Sequence, residues 1–187
     1  MTTPTVRALG ALLSVLLLLG PAASAAPAAT DASPRAGTED VAAARRAGWV
    51  RPVPGELVHP FAPPAQDWLP GHRGVDLAAL RGEPVAAPGG GVVTFAGVVG
   101  GKPVVVVTHH GGLRSTLEPV EAVVPRGAVV AAGSVVGTLA TAPGTADNPS
   151  HCAPRDCLHW GVRRGERYLD PMLLLGLADP IVLLPLS

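Results

Sequence analysis

From Trp49 onward, short valine-rich runs alternate with glycine and proline breaks every 8–12 residues or so, the rhythm of an all-β sandwich or barrel. Seven runs read as strands: "GVDLAA", "EPVAA", "GVVTFAGVV", "KPVVVVTHH", "LRSTLEPV", "GSVVGTLA" and "LHWGVRR". The turns between them are "PGGG", "VGGK", "HHGG" and "VPRG". "LDPMLLLG" reads as one short helix or turn after the last strand, and no tandem repeat is present.

Before Trp49 the pattern is different. Arg7 precedes an apolar run from Ala8 to Leu19, followed by "GP" and "ASA". That order predicts a secretory signal peptide over residues 1–25, cut after Ala25. The run falls short of the ~20 apolar residues that span a bilayer, so an uncleaved anchor is the weaker alternative. No stable membrane insertion is expected after cleavage. Residues 26–48 are Ala/Pro/Thr/Asp-rich and predict a flexible leader. Within it, "TEDVAAARRAG" has a cap at Thr38 and a stop at Gly48, which fits one short helix. Residues 49–187 are then a single domain with enough chain for a real core.

Charge narrows the partners. The chain has 14 basic and 14 acidic residues, and the balance stays near zero once Arg7 is removed. Nothing electrostatic favours nucleic acid or an anionic membrane surface. The only lysine is Lys102. The two cysteines, Cys152 and Cys157, lie in the exported part, where a disulfide is the default. The alternative, a pair of metal thiolates, needs further ligands at zinc-finger spacing.

The chemistry centres on three residues. His72 and Asp76 in "HRGVDL" are four apart, so on a strand they share a face. Taken alone, the pair fits either a metal site or a surface ion pair. In "LHWGVRR", Leu158, Trp160 and Val162 share one face, and His159, Gly161 and Arg163 the other. A core histidine would sit in phase with Leu158 and Trp160; His159 does not. Together, His72, Asp76 and His159 form a His₂-carboxylate set, the ligand pattern of a catalytic Zn²⁺ with an open position.

"GHRGVDLA", "GEPVAAPGGGVVTFAG", the strand ending in "THHGG", "GSVVGTL" and "LHWGV" occur in an order that resembles the lysostaphin/LytM-type zinc endopeptidases of bacterial cell walls. The likeness runs from about Val58 to Leu175. It implies a compact antiparallel β-sheet fold of the duplicated hybrid-motif type, with zinc held by His72, Asp76 and His159. It also implies peptidoglycan peptides as substrate and a secreted, cell-wall-associated location. A monomer is expected.

Two departures stand out. The family's last motif reads H-x-H, and Cys157 holds the first histidine's place. The family's Tyr-Ala-His stretch corresponds to Leu117, Glu118 and Pro119. Both helper histidines are therefore missing. Glu118 and His151 are the candidate replacements for proton handling. His109 and His110 are further candidates, with a solvated strand end as the stronger reading. Arg114 and Arg163 read as solvated or as contacts to a peptide carboxylate. Two readings follow: a zinc metalloendopeptidase of weak activity, or an inactive LytM-like domain that binds or regulates the cell wall.

Overall fold

The computed structural model describes residues 48–140, 144–145, 148–150, 152 and 155–176. The expected signal peptide, the leader helix and His151 lie outside them. Among the described residues the chain forms β1 (Leu57–His59), β2 (Val75–Ala78), β3 (Pro84–Ala86), β4 (Gly91–Val99) and β5 (Lys102–His109). These are followed by β6 (Leu113–Glu118), β7 (Val120–Ala122), β8 (Val129–Val130) and β9 (Val135–Leu139). The series ends with β10 (Gly144–Thr145), β11 (Asn148–Pro149), β12 (Cys157–Arg164), β13 (Arg167–Leu169) and one short helix, α1 (Pro171–Leu174).

An eight-stranded sheet runs β1-β2-β12-β6-β5-β4-β8, with β13 also paired to β12. A three-stranded sheet runs β3-β9-β7, and β10 and β11 form a separate pair. Every ladder is antiparallel. This is the all-β architecture expected from the alternating pattern, with the short C-terminal helix in place. Asp170 caps that helix by accepting the Met172 N–H at 2.9 Å, and Pro171 opens it.

The two faces of the large sheet differ in chemistry. On one face, Val75 and Leu77 of β2, Leu158, Trp160 and Val162 of β12, Leu117 of β6 and Val105 and Val107 of β5 are all fully buried. They join Val85, Val120, Val136 and Leu139 of the smaller sheet in a single core. Each such side chain contributes about 1.5–3 kcal/mol on burial, so this face fixes the register of the ladder. The opposite face carries the alternate residues: Asp76, His159, Glu118, Arg163 and Arg114.

Two expectations need correcting. "LRSTLEPV" is not one strand: β6 ends at Glu118, and Pro119, which has no N–H for a ladder, leads into β7 of the other sheet. His109 is not solvated. It is 6% exposed, in contact with Trp49 and bonded through its two ring nitrogens to Gly90 O and Ser115 Oγ. His110 alone is exposed.

Candidate metal centre

β12 and β2 are neighbours in register, with His159 directly opposite Asp76. The pairing sets both side chains on the face away from the core. His72 arrives from the loop before β2, where its backbone is pinned by two hydrogen bonds to Ala62: His72 N–H to Ala62 O at 2.8 Å and Ala62 N–H to His72 O at 3.0 Å. Gly74 makes room for the third member. A Cβ there would lie 2.7 and 2.8 Å from Cε1 and Nε2 of His159 and 2.5 Å from the Trp160 carbonyl oxygen.

The result is a tight triangle. Asp76 Oδ1 is 3.1 Å from His72 Nε2 and 2.9 Å from His159 Nδ1, and the two nitrogens are 3.2 Å apart. The carboxylate is fully buried, and the two rings are about one-fifth exposed. His72 Nδ1 donates to Pro60 O at 2.7 Å, which leaves a lone pair on Nε2 in the neutral ring. Lone pairs of Nε2 and a carboxylate oxygen then face each other, an arrangement that a cation resolves. Ligand atoms of a tetrahedral zinc, with bonds of about 2.0–2.1 Å, lie roughly 3.3 Å apart, close to the separations seen. His72, Asp76 and His159 thus form a donor set that could hold a metal ion.

His59 also belongs to the site, and the sequence reading assigned it no role. It sits on β1 opposite Asp76, and its Nδ1 donates to Asp76 Oδ2 at 2.9 Å. Its ring, with Pro60, Ala62, Gly71, His72 and Asp76, lines a pocket of ≈480 Å³. The signal in the sequence was slight: a lone histidine in a three-residue strand that shows no hydrophobic alternation. His59 and Asp76 also approach Cys152, but that sulfur is bonded to Cys157 in a disulfide. The thiolate-ligand alternative therefore finds no support in this geometry.

Glu118 faces the site from β6, directly opposite His159. Its carboxylate is turned to Lys102 Nζ, 2.9 Å away, and does not join the triangle. Cys157, in the place of a helper histidine, is buried in the disulfide. Arg114 and Arg163 pair across β6 and β12 on the same face, and Arg163 also reaches Glu166 at 3.3 Å.

Residues 70–171, 102 of the 187, match the model of peptidase family M23. A Mycobacterium tuberculosis protein described only as uncharacterized is 43% identical over 178 residues, covering 93% of this chain and 64% of its own length. The chain thus spans just under two-thirds of that relative. Helicobacter pylori Csd3 is similar in structure, with a TM-score of 0.51 and 26% identity over 66% of this chain and 33% of its own. The catalytic domain of the antimicrobial peptidase lysostaphin from Staphylococcus simulans shares the fold, with a TM-score of 0.53 and 23% identity over 65% of this chain and 92% of its own. Motif order, fold and family match agree: the chain belongs to peptidase family M23.

Proposed function

We propose that this protein is a secreted zinc metalloendopeptidase acting on the peptides of peptidoglycan, with His72, Asp76 and His159 as the metal ligands. The observation that carries this reading is the triangle of Asp76 Oδ1, His72 Nε2 and His159 Nδ1, tightened by the Pro60 carbonyl that accepts from His72 Nδ1. Bound there, zinc supplies Lewis-acid chemistry: polarisation of a peptide carbonyl and a more acidic water. The chain's own residues do the rest. Glu118, held by Lys102 on the strand beside His159, is the candidate to take a proton from water. His151, outside the described residues, is the other proposed proton carrier. Arg114 and Arg163 offer cations to a peptide carboxylate along the same sheet face.

One observation favours a second reading. Cys157 and Pro119 occupy the places where the resembling family carries helper histidines, and Cys157 is sealed in a disulfide. A domain without proton-handling groups would serve as a cell-wall binding or regulatory module.

Release of new amino groups from purified sacculi of several wall chemotypes separates the two. A peptidase releases them slowly in the zinc-loaded wild type and not in His159→Ala. If both stay at background with zinc bound, and the protein still sediments with sacculi, the binding module is the correct reading.

A further inference from the structure

The ladder between β1 and β2 contains an irregularity with a chemical consequence. Leu57 pairs with Leu77, yet His59 pairs with Asp76, so two steps on β1 match one on β2. A regular ladder would set His59 opposite Val75, a fully buried core residue. Side chains alternate faces along a strand, so the bulge turns His59 from the core face to the face that carries Asp76.

There its Nδ1 lies 2.9 Å from Asp76 Oδ2. An ionised carboxylate only accepts, so the ring donates. His72 Nε2 and His159 Nδ1 both approach the other oxygen, Oδ1. The carboxylate is fully buried, while the His59 side chain is 49% exposed. His59 thus reaches in from the pocket wall to hold one oxygen and leaves the other to the triangle.

We propose that His59 is a positioning residue that makes Asp76 a one-oxygen metal ligand and aims Oδ1 between His72 and His159. The inference rests on the zinc reading of the site and adds to it the residue that selects the ligand atom. Outer partners of metal-binding carboxylates typically set 10–100-fold of metal affinity.

The test uses zinc and cobalt(II) titrations of the full chain against a competing chelator, with the visible absorption of the cobalt-loaded protein as the second readout. His59→Leu and the smaller His59→Ala should weaken zinc by about 10–100-fold and alter the cobalt band, because Asp76 can then turn both oxygens to the metal. His59→Asn, which places an amide N–H where Nδ1 stands, should restore affinity and band. The metal-free thermal midpoint of each variant reports any purely structural effect. The inference falls if His59→Leu and His59→Ala keep wild-type affinity and band, or if His59→Asn fails to restore them. If the wild type itself binds neither metal, the zinc reading falls first and takes the inference with it.

Discussion

His159 and Glu118 are paired residues on adjacent strands, and their side chains leave the sheet on the same face. The Glu118 carboxylate nevertheless bonds Lys102, whose ammonium is 2.9 Å away and largely shielded from solvent. The only lysine of the chain therefore orients a carboxylate on the strand beside the His72–Asp76–His159 triangle.

This arrangement makes Glu118 and Lys102 separable by experiment. Glu118→Gln removes the proposed base but keeps much of the shape. It should lower kcat/KM by about 10²–10⁴-fold while zinc content stays at one equivalent. Lys102→Met leaves a partly buried carboxylate without its cation and should cost about 1–3 kcal/mol in urea unfolding. The double variant should cost less than the sum of the two, because the unpaired charge is gone. Additive costs would show that the pair is not coupled.

Gly74 is the position where the backbone makes room for the His159 ring. A methyl group there meets the His159 ring and the Trp160 carbonyl oxygen, and a carbonyl within a ladder cannot swing aside. Gly74→Ala should lower stability by about 1–3 kcal/mol, as overpacking does. It should also weaken zinc by about tenfold, since the His159 ring must shift. Calorimetric unfolding and a zinc titration of the same sample check both; wild-type values in both would mean that the loop relaxes freely.

Most of the fold was legible because alternation and breakers act locally. The strand runs lay between glycine and proline breaks at short, regular spacing, which is a local signal. What escaped was set by long-range contact. β1, β8 and β13 are two or three residues long, too short for a period to show. His109 does end β5, but the Trp49 ring, sixty residues away in sequence, covers it against the expected solvation. For the site, the face argument brought His159 to Asp76. It could not reach His59, because a bulge reverses the face and a single sequence does not announce a bulge.

The Cys152–Cys157 disulfide closes a small loop directly before His159, with the two Cα atoms 6.0 Å apart. Loop-closure entropy assigns it about 2–3 kcal/mol. Cys152→Ser/Cys157→Ser should lose that amount in urea unfolding and retain one zinc per chain, because neither sulfur belongs to the triangle. Thiol titration of the unfolded, unreduced wild type should find no free thiol. Two free thiols, or zinc released on alkylation, would reinstate the thiolate-ligand alternative.

His109 provides a prediction independent of the metal. Trp160 Nε1–H donates to Ser115 Oγ at 3.3 Å, the Ser115 hydroxyl donates to His109 Nε2 at 2.8 Å, and His109 Nδ1–H donates to Gly90 O at 3.1 Å. Each donor has its acceptor only while the ring is neutral. Burial disfavours the charged form and lowers the His109 pKa below its ordinary 6.5, against smaller opposing effects from the Gly90 and Gly89 backbone. Above that value the ring is neutral in both folded and unfolded chains, so its contribution to stability is level. As pH falls below it, the unfolded chain takes up the proton first. Stability then declines until the lowered folded pKa is reached and levels off again. His109→Gln keeps a polar side chain that cannot titrate. Between pH about 7.5 and about 5, its urea midpoint should therefore fall less steeply than that of wild type. Parallel curves would show that His109 takes up its proton in the folded protein as readily as in the unfolded chain. Ser115→Ala, which removes the central partner of the chain of bonds, should cost about 1–3 kcal/mol at neutral pH.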